Sequence, residues 1–130
     1  MFLPASVNKP GIEPWVQRPC SAITPKLGMA MYMNAGKLAI ATGATKPEYI
    51  CMEDRATAVA ADTPIHVLPV TSEMEFEVQA SAAMTSVKPG DKVTIATDGL
   101  RVTATTSDGV AKLVAIHGTT AGSSVRVRFN

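Results

Sequence analysis

The segment from Lys88 to Gly109, KPGDKVTIATDGLRVTATTSDG, decides the fold. Valines and threonines alternate along it, and Asp-Gly pairs at 98–99 and 108–109 interrupt the alternation. A period of two is typical of β-strands, and Asp-Gly is a common turn between paired strands. The segment therefore predicts strand, turn, strand, turn. It contains no His, no Cys and no activated nucleophile, which favours a role as scaffold over a role in chemistry.

The same pattern continues on both sides of this segment. We predict strands at residues 29–33, 37–42, 48–52, 64–70, 73–79, 92–96, 100–105, 110–116 and 124–129. In the first hairpin, Asn34 and Gly36 are expected to supply the left-handed backbone positions of the turn. Residues 53–62 fit either a single helical turn or an irregular loop. Short strands at even spacing predict an all-β fold, a small β-barrel or β-sandwich of short antiparallel strands.

The first 28 residues differ from the rest of the chain. They contain five prolines, Pro4, Pro10, Pro14, Pro19 and Pro25. Proline fixes φ and lacks an N–H, so we expect no helix and no central strand here. Scattered apolar residues nevertheless predict an extended arm that docks onto its own domain, a neighbouring copy or another protein. The predicted organisation is an arm at 1–28 and a single β-rich domain at 29–130.

The charge and hydropathy of the chain exclude several classes of function. The 12 Lys and Arg residues against 11 Asp and Glu residues give a net charge of +1, which argues against nucleic acid as the main partner. No apolar run approaches the ~20 residues of a membrane helix. The first residues lack a basic stretch followed by a long apolar run, so we expect no signal peptide and folding in a cytoplasm.

Two groups of polar side chains are candidates for chemistry. Glu73, Glu75 and Glu77 share one face of a predicted strand, about 7 Å apart. A straight strand does not wrap oxygens around a cation, so we expect this face to be solvated or to contact a partner. His66 and His117 lie on separate predicted strands with no nucleophile motif nearby, so no catalytic residue is assigned.

The sulfur-containing side chains have a structural interpretation. Cys20 and Cys51 are expected to be small, reduced, buried residues, although their spacing does not decide whether they pair. Met29, Met31 and Met33 alternate on one strand and fit a core or a subunit interface. We therefore assign no metal site and no cofactor.

The N-terminal arm supplies the candidate partner contacts. Trp15 is the only tryptophan of the chain, and it either packs against its own domain or anchors an interface, where tryptophan often dominates the binding energy. The residues expected to contact a partner are Phe2, Leu3, Trp15, Val16 and Arg18.

With these residues laid out, the chain resembles the capsid decoration (cement) proteins of tailed bacteriophages. The resemblance lies in the proline-punctuated arm, in GMAMYMNAGKLAIATGATKPEYICMEDRA with the following IHVLPVTSEMEFEV, and in VKPGDKVTIATDGLRVTATTSDGVAKLVAI with SSVRVRF. It implies a β-rich virion structural protein that is made in the host cytoplasm and binds the outer surface of an assembled head. It also implies the major capsid protein as partner, a homo-oligomer with a trimer favoured, and no catalytic or cofactor residues.

Other classes of protein remain open at this point. A carbohydrate- or receptor-binding β-sandwich module of a virion is the main alternative, although aromatics make up only 5% of the chain and sugar platforms usually expose several. A head–tail connector or tail-tube subunit is another. An enzyme is disfavoured because no set of convergent polar residues stands out.

Overall fold

The computed structural model describes residues 1–6 and 15–129, and all regular secondary structure within this part of the chain is β. The strands are β1 (Leu3–Ser6), β2 (Val16–Cys20), β3 (Ala30–Asn34), β4 (Lys37–Ile40), β5 (Tyr49–Cys51), β6 (Thr63–Pro69), β7 (Glu75–Ala80), β8 (Lys92–Val93), β9 (Arg101–Val102), β10 (Ala111–Ile116) and β11 (Ser124–Arg128). The all-β prediction is confirmed. Residues 53–62 contain no helix, which leaves the irregular loop of the two predicted alternatives.

Five strands close into a small barrel in the order β2-β4-β3-β5-β6. Its neighbouring strands pair antiparallel, except that β2 runs parallel to β4, with Cys20 opposite Leu38. This short parallel contact closes the barrel, because it joins a strand of the proline-rich segment to the second strand of the first hairpin.

The other strands form an open sheet in the order β1-β7-β11-β10-β8, and β9 runs parallel to β7 beside this path. Strand β10 carries a bulge between Leu113 and Ala115 where it pairs with β11. The alternation predicted for β7 and β11 is present: Phe76, Val78 and Val127 are buried on the inner face.

Two clusters of buried side chains form the core. One fills the barrel and includes Met31, Leu38 and Ile65. The other lies between the inner face of the open sheet and the outside of the barrel, which contributes Ala30, Ala41, Ile50 and Leu68. The two sheets therefore share an apolar interface, and the open sheet does not form its core without the barrel.

Three phenylalanines lie at the centre of this shared interface. The ring centroids of Phe2, Phe76 and Phe129 are 5.4 to 6.4 Å apart, in tilted and edge-on orientations that aromatic pairs prefer. Phe2 is fully buried, and its backbone N–H donates to the carbonyl oxygen of Gly28 at 2.8 Å, just before β3. Phe2 is thus a core residue of its own chain, and this fold leaves none of its side chain free for a partner.

The proline-rich segment contains two strands, so the expectation that no central strand runs through it was wrong. Strand β1 occupies an edge of the open sheet, a position that tolerates Pro4. In the barrel, Pro19 lies opposite Pro64. Pairs with and without hydrogen bonds between the strands alternate along an antiparallel ladder. His66 lies two residues from Pro64, and its N–H donates to Glu53 and not to β2. The Pro19–Pro64 pair is therefore also one in which no N–H is needed between the strands. Residues 7–14 of the predicted arm lie outside the described residues.

The turns differ from expectation in one detail. Ala35 and Gly36, with φ of 51° and 82°, take the left-handed positions between β3 and β4, whereas Asn34 pairs with Lys37. At the Asp98–Gly99 turn, Gly99 has φ of 69°, and a Cβ there would lie 2.6 Å from Ile40 Cγ2. Its carbonyl oxygen accepts from Ala30 N–H at 2.8 Å, so glycine is needed where this turn meets the barrel.

We predict that Phe2→Ala lowers the free energy of unfolding by about 3–5 kcal/mol, because it leaves a cavity between the two sheets. The neighbouring Leu3→Ala is the matched control, since Leu3 is 42% exposed, and it should change stability by less than about 0.5 kcal/mol. Urea unfolding followed by circular dichroism measures both values. Equal effects of the two substitutions would show that the N-terminal residues do not contribute to the core.

Candidate functional site

The five predicted contact residues lie on two different sheets. Leu3 is the first residue of β1 in the open sheet, and Phe2 directly precedes it. Val16 and Arg18 lie in β2 of the barrel, and Trp15 directly precedes that strand. Leu3 pairs with Glu77 of β7 and is 42% exposed on the outer face of the open sheet. The arm therefore offers separate exposed side chains on each sheet.

Trp15 precedes β2 and is 54% exposed, more than any other large apolar side chain in the described residues. The next residue, Val16, is half-buried, lies opposite Val67 and packs against the core of the barrel. The barrel thus fixes the backbone immediately after Trp15 while the indole remains largely in solvent. An exposed aromatic ring on a fixed backbone has the properties of a binding anchor.

Arg18 is held at the barrel by an aromatic side chain. It pairs with buried Ile65, so its side chain starts on the interior face. Its guanidinium carbon lies 5.8 Å from the ring centroid of Tyr49, Nε donates to the Tyr49 hydroxyl at 3.4 Å, and Nη1 donates to the Gln17 carbonyl oxygen at 2.8 Å. A cation over an aromatic face at this distance is favourable, so the charge is positioned before any partner binds.

An open cleft of about 470 Å³ adjoins the same tyrosine. Its lining residues are Lys46, Pro47, Glu48, Tyr49, Pro69 and Val70. Glu48 is fixed by the N–H of Met33, which donates to its Oε1 at 3.1 Å. Sequence reasoning missed this cleft, because the segment that holds it was read only as a short strand and its partner Pro69 is distant in sequence.

The outer face of the open sheet carries an ion-pair network. Arg126 Nη2 lies 2.9 Å from Glu77 Oε1, and Arg128 Nη2 lies 2.5 Å from Glu75 Oε2. Arg126 Nη1 also lies 3.6 Å from Glu75, and His117 Nε2 lies 3.3 Å from Glu77. The sequence predicted that these glutamates and arginines face outward, but it did not predict that β7 and β11 lie side by side and pair them.

His66 has a structural role in the barrel. Its ring Nδ1 lies 2.7 Å from Glu53 Oε1, and its Nε2 lies 3.2 Å from Gln17 Nε2. Burial raises the pKa of Glu53, but the hydrogen bonds from His66 and Arg55 outweigh burial and leave the pKa below its usual value. Because both ring nitrogens face side chains of neighbouring segments, His66 joins β2, β6 and the loop after β5.

The two cysteines are free and buried in the barrel. Burial raises the pKa of the Cys20 thiol and raises that of Cys51 from 9.0 to about 11. Both thiols are thus protonated and poorly nucleophilic at neutral pH. Among residues 1–6 and 15–129, no three His, Cys, Asp or Glu side chains converge as metal ligands. No helix in this range has the length and apolar character needed to cross a membrane.

Neither a protein-family model nor a curated protein matches this chain.

We predict that the buried Cys51 thiol makes stability fall at alkaline pH. Its folded pKa lies above the unfolded value of 9.0, so its contribution is fully present below pH 9 and is lost as the pH rises through about 11. Between these values the wild type should lose up to about 2–3 kcal/mol more unfolding free energy than Cys51→Ala does. Urea unfolding at pH 8, 9.5 and 10.5 measures this difference.

Ile65→Val, in the same barrel cluster, is the control for lost packing without a lost thiol. It should be destabilised by about 0.5–1.5 kcal/mol at every pH and keep the wild-type pH dependence. If Cys51→Ala keeps the wild-type pH dependence as well, the thiol is not the group responsible.

Proposed function

We propose that this protein is a capsid decoration protein of a tailed bacteriophage. In this role it binds the outer surface of an assembled head and stabilises it without catalysing a reaction. Its partner is the major capsid protein, with neither nucleic acid nor membrane involved, and the protein acts as a homo-oligomer, a trimer being favoured. The observation that carries the proposal is Trp15, which lies within the proline-rich segment, directly before the barrel strand β2, and is more than half exposed.

The physical properties of the fold suit this role. The two sheets pack against each other through a shared apolar cluster, and the near-neutral net charge suits a protein surface better than a polyanion. A ligand that binds only the intact lattice stabilises it by about 4 kcal/mol per site at a thousandfold excess over its Kd. Since a head offers many equivalent sites, a modest interaction per copy is sufficient.

A carbohydrate- or receptor-binding module is the second candidate. The observation that favours it is the open cleft beside Tyr49, which combines an aromatic ring with Lys46 and Glu48. Polar groups around an aromatic face are a common arrangement for binding a small polar ligand. A glycan array with the purified protein tests this candidate, and saturable binding that is lost in Tyr49→Ala would support it.

We predict that Trp15→Ala weakens binding to phage heads by about 30-fold or more, because truncation of an interface tryptophan often costs 2 kcal/mol or more. The measurement is co-sedimentation of the purified protein with expanded, emptied heads from which the protein has been stripped. The wild type should saturate at a fixed ratio to the major capsid protein. Trp15→Phe is the matched variant and should retain most of the affinity through its ring.

Thermal unfolding should be nearly unchanged in both variants, since the indole is largely in solvent. Full binding by Trp15→Ala would keep the capsid role and move the contact to another surface. Absence of saturable wild-type binding to any form of the head would overturn the proposed function.

A further inference from the structure

Two Asp-Gly pairs of the chain, Asp98–Gly99 and Asp108–Gly109, have the same sequence but different surroundings. Glycine has no Cβ, so its backbone nitrogen is less hindered than that of any other residue. An aspartate followed by glycine is therefore the dipeptide in which a backbone nitrogen most easily reaches the preceding side-chain carboxyl. Whether the two groups react in the folded protein depends on how firmly each is held.

The first pair is held at both reacting groups. Oδ1 of Asp98 accepts from the N–H of Leu100 at 2.9 Å, and Oδ2 accepts from Nε of Arg101 at 3.0 Å. The N–H of Gly99 donates to the carbonyl oxygen of Ala96 at 3.0 Å, and Gly99 is buried. The carboxyl therefore cannot turn toward the Gly99 nitrogen without breaking these hydrogen bonds.

The second pair lacks these restraints. Asp108 is exposed, and its carboxyl has no hydrogen bond or ion pair with any residue that the structure describes. The N–H of Gly109 makes a long contact of 3.4 Å with the carbonyl oxygen of Thr106. The backbone of Asp108 has a φ of 56°, in the left-handed region where a residue with a Cβ is strained. The carboxyl and the nitrogen are thus both available for reaction.

We propose that Asp108 is a site of spontaneous isomerisation to isoaspartate, from which Asp98 is protected. The Gly109 nitrogen forms a bond to the side-chain carboxyl carbon of Asp108, and its proton leaves with a carboxyl oxygen as water, which closes a succinimide ring. Water then opens the ring at either carbonyl and gives aspartate or isoaspartate. In isoaspartate the main chain continues through the side-chain carbon. The water that leaves is regained, so the reaction needs no other reactant.

Isomerisation at this position would alter the edge of the open sheet. Gly109 packs directly on β8, since a Cβ there would lie 2.2 Å from the carbonyl oxygen of Lys92. The next N–H, that of Val110, donates to the carbonyl oxygen of Val93 at 3.0 Å. Isoaspartate inserts one more atom into the backbone immediately before Gly109, where close packing leaves no room for it. We therefore expect the modification to loosen the contact with β8, whether or not the protein has the proposed capsid role.

The test follows both sites in one sample of the full-length protein. The protein is kept at pH 6 and 37 °C for several weeks in water enriched in oxygen-18, because each opening of a succinimide by water adds one heavy oxygen. Digestion with trypsin in ordinary water then places Asp98 on peptide 93–101 and Asp108 on peptide 102–112, neither of which contains another acidic side chain. Mass spectrometry measures the heavy oxygen in each peptide, and labelling by an isoaspartate methyltransferase identifies the isomer.

We expect Asp108 of the native protein to take up heavy oxygen about 10-fold faster than Asp98 or more, because hydrogen bonds to a charged group must break before Asp98 reacts. In guanidinium chloride the two sites should react at similar rates, since both are then unrestrained Asp-Gly pairs. Arg101→Gln is the matched variant, and in the native protein it should speed the reaction of Asp98 about 3-fold or more while that of Asp108 stays unchanged.

Two results would overturn the proposal. One is a rate at Asp98 of the native protein that equals or exceeds the rate at Asp108. The other is heavy oxygen at Asp108 without isoaspartate, which would mean that the carboxyl exchanges oxygen without closing a ring.

Hydrogen exchange measures the expected consequence for the sheet. In the isomerised protein the Val110 amide should lose protection, while the Cys51 amide in the barrel should keep it. If the Val110 amide keeps its protection as well, the modification does not loosen the contact with β8, and this part of the proposal is wrong.

Discussion

The packing of Phe2 against Phe76 and Phe129 is the contact on which the arrangement of the two sheets depends. Phe76 lies in β7 of the open sheet, and Phe129 directly follows β11 of the same sheet. Phe2 packs against both rings, and its backbone N–H donates to Gly28, which leads into the barrel. A residue at the start of the chain therefore fills the interface between two units that are each too small to bury a large core alone. Backbone hydrogen bonds from Ala30 to Gly99 and between Gly43 and Ile95 reinforce the same interface.

The elements that the sequence predicted correctly are those whose pattern is local. The alternation around Phe76 and Val127 and the Asn-Ala-Gly turn identify strands without knowledge of their partners. The sequence analysis missed the strands at Leu3–Ser6 and Val16–Cys20. Proline is excluded from a strand only at positions whose backbone N–H would donate to a neighbouring strand. Pro4 on an edge and Pro19 opposite Pro64 avoid that requirement, and only the pairing reveals it.

The sequence identified some residues of the candidate surfaces but not the contacts between them. Trp15 and Leu3 are exposed whereas Phe2 is buried, and residue type and position in the sequence did not distinguish Phe2 from the other two. The Arg18–Tyr49 contact and the Arg126–Glu77 ion pair depend on which strands are neighbours, which no local pattern encodes. The proposed function depends on one of these features, the exposed Trp15 held beside the barrel strand β2.

Native-state hydrogen exchange tests most directly whether the two sheets form one cooperative unit. The amide of Cys51 donates to Met29 in the barrel, and the amide of Leu113 donates to Asp91 beside the open sheet. If the shared aromatic core joins the sheets, both amides should report one free energy of opening, equal to the global free energy of unfolding. A much smaller value for Leu113 than for Cys51, or the reverse, would contradict this account, because it would mean that one sheet unfolds while the other remains folded.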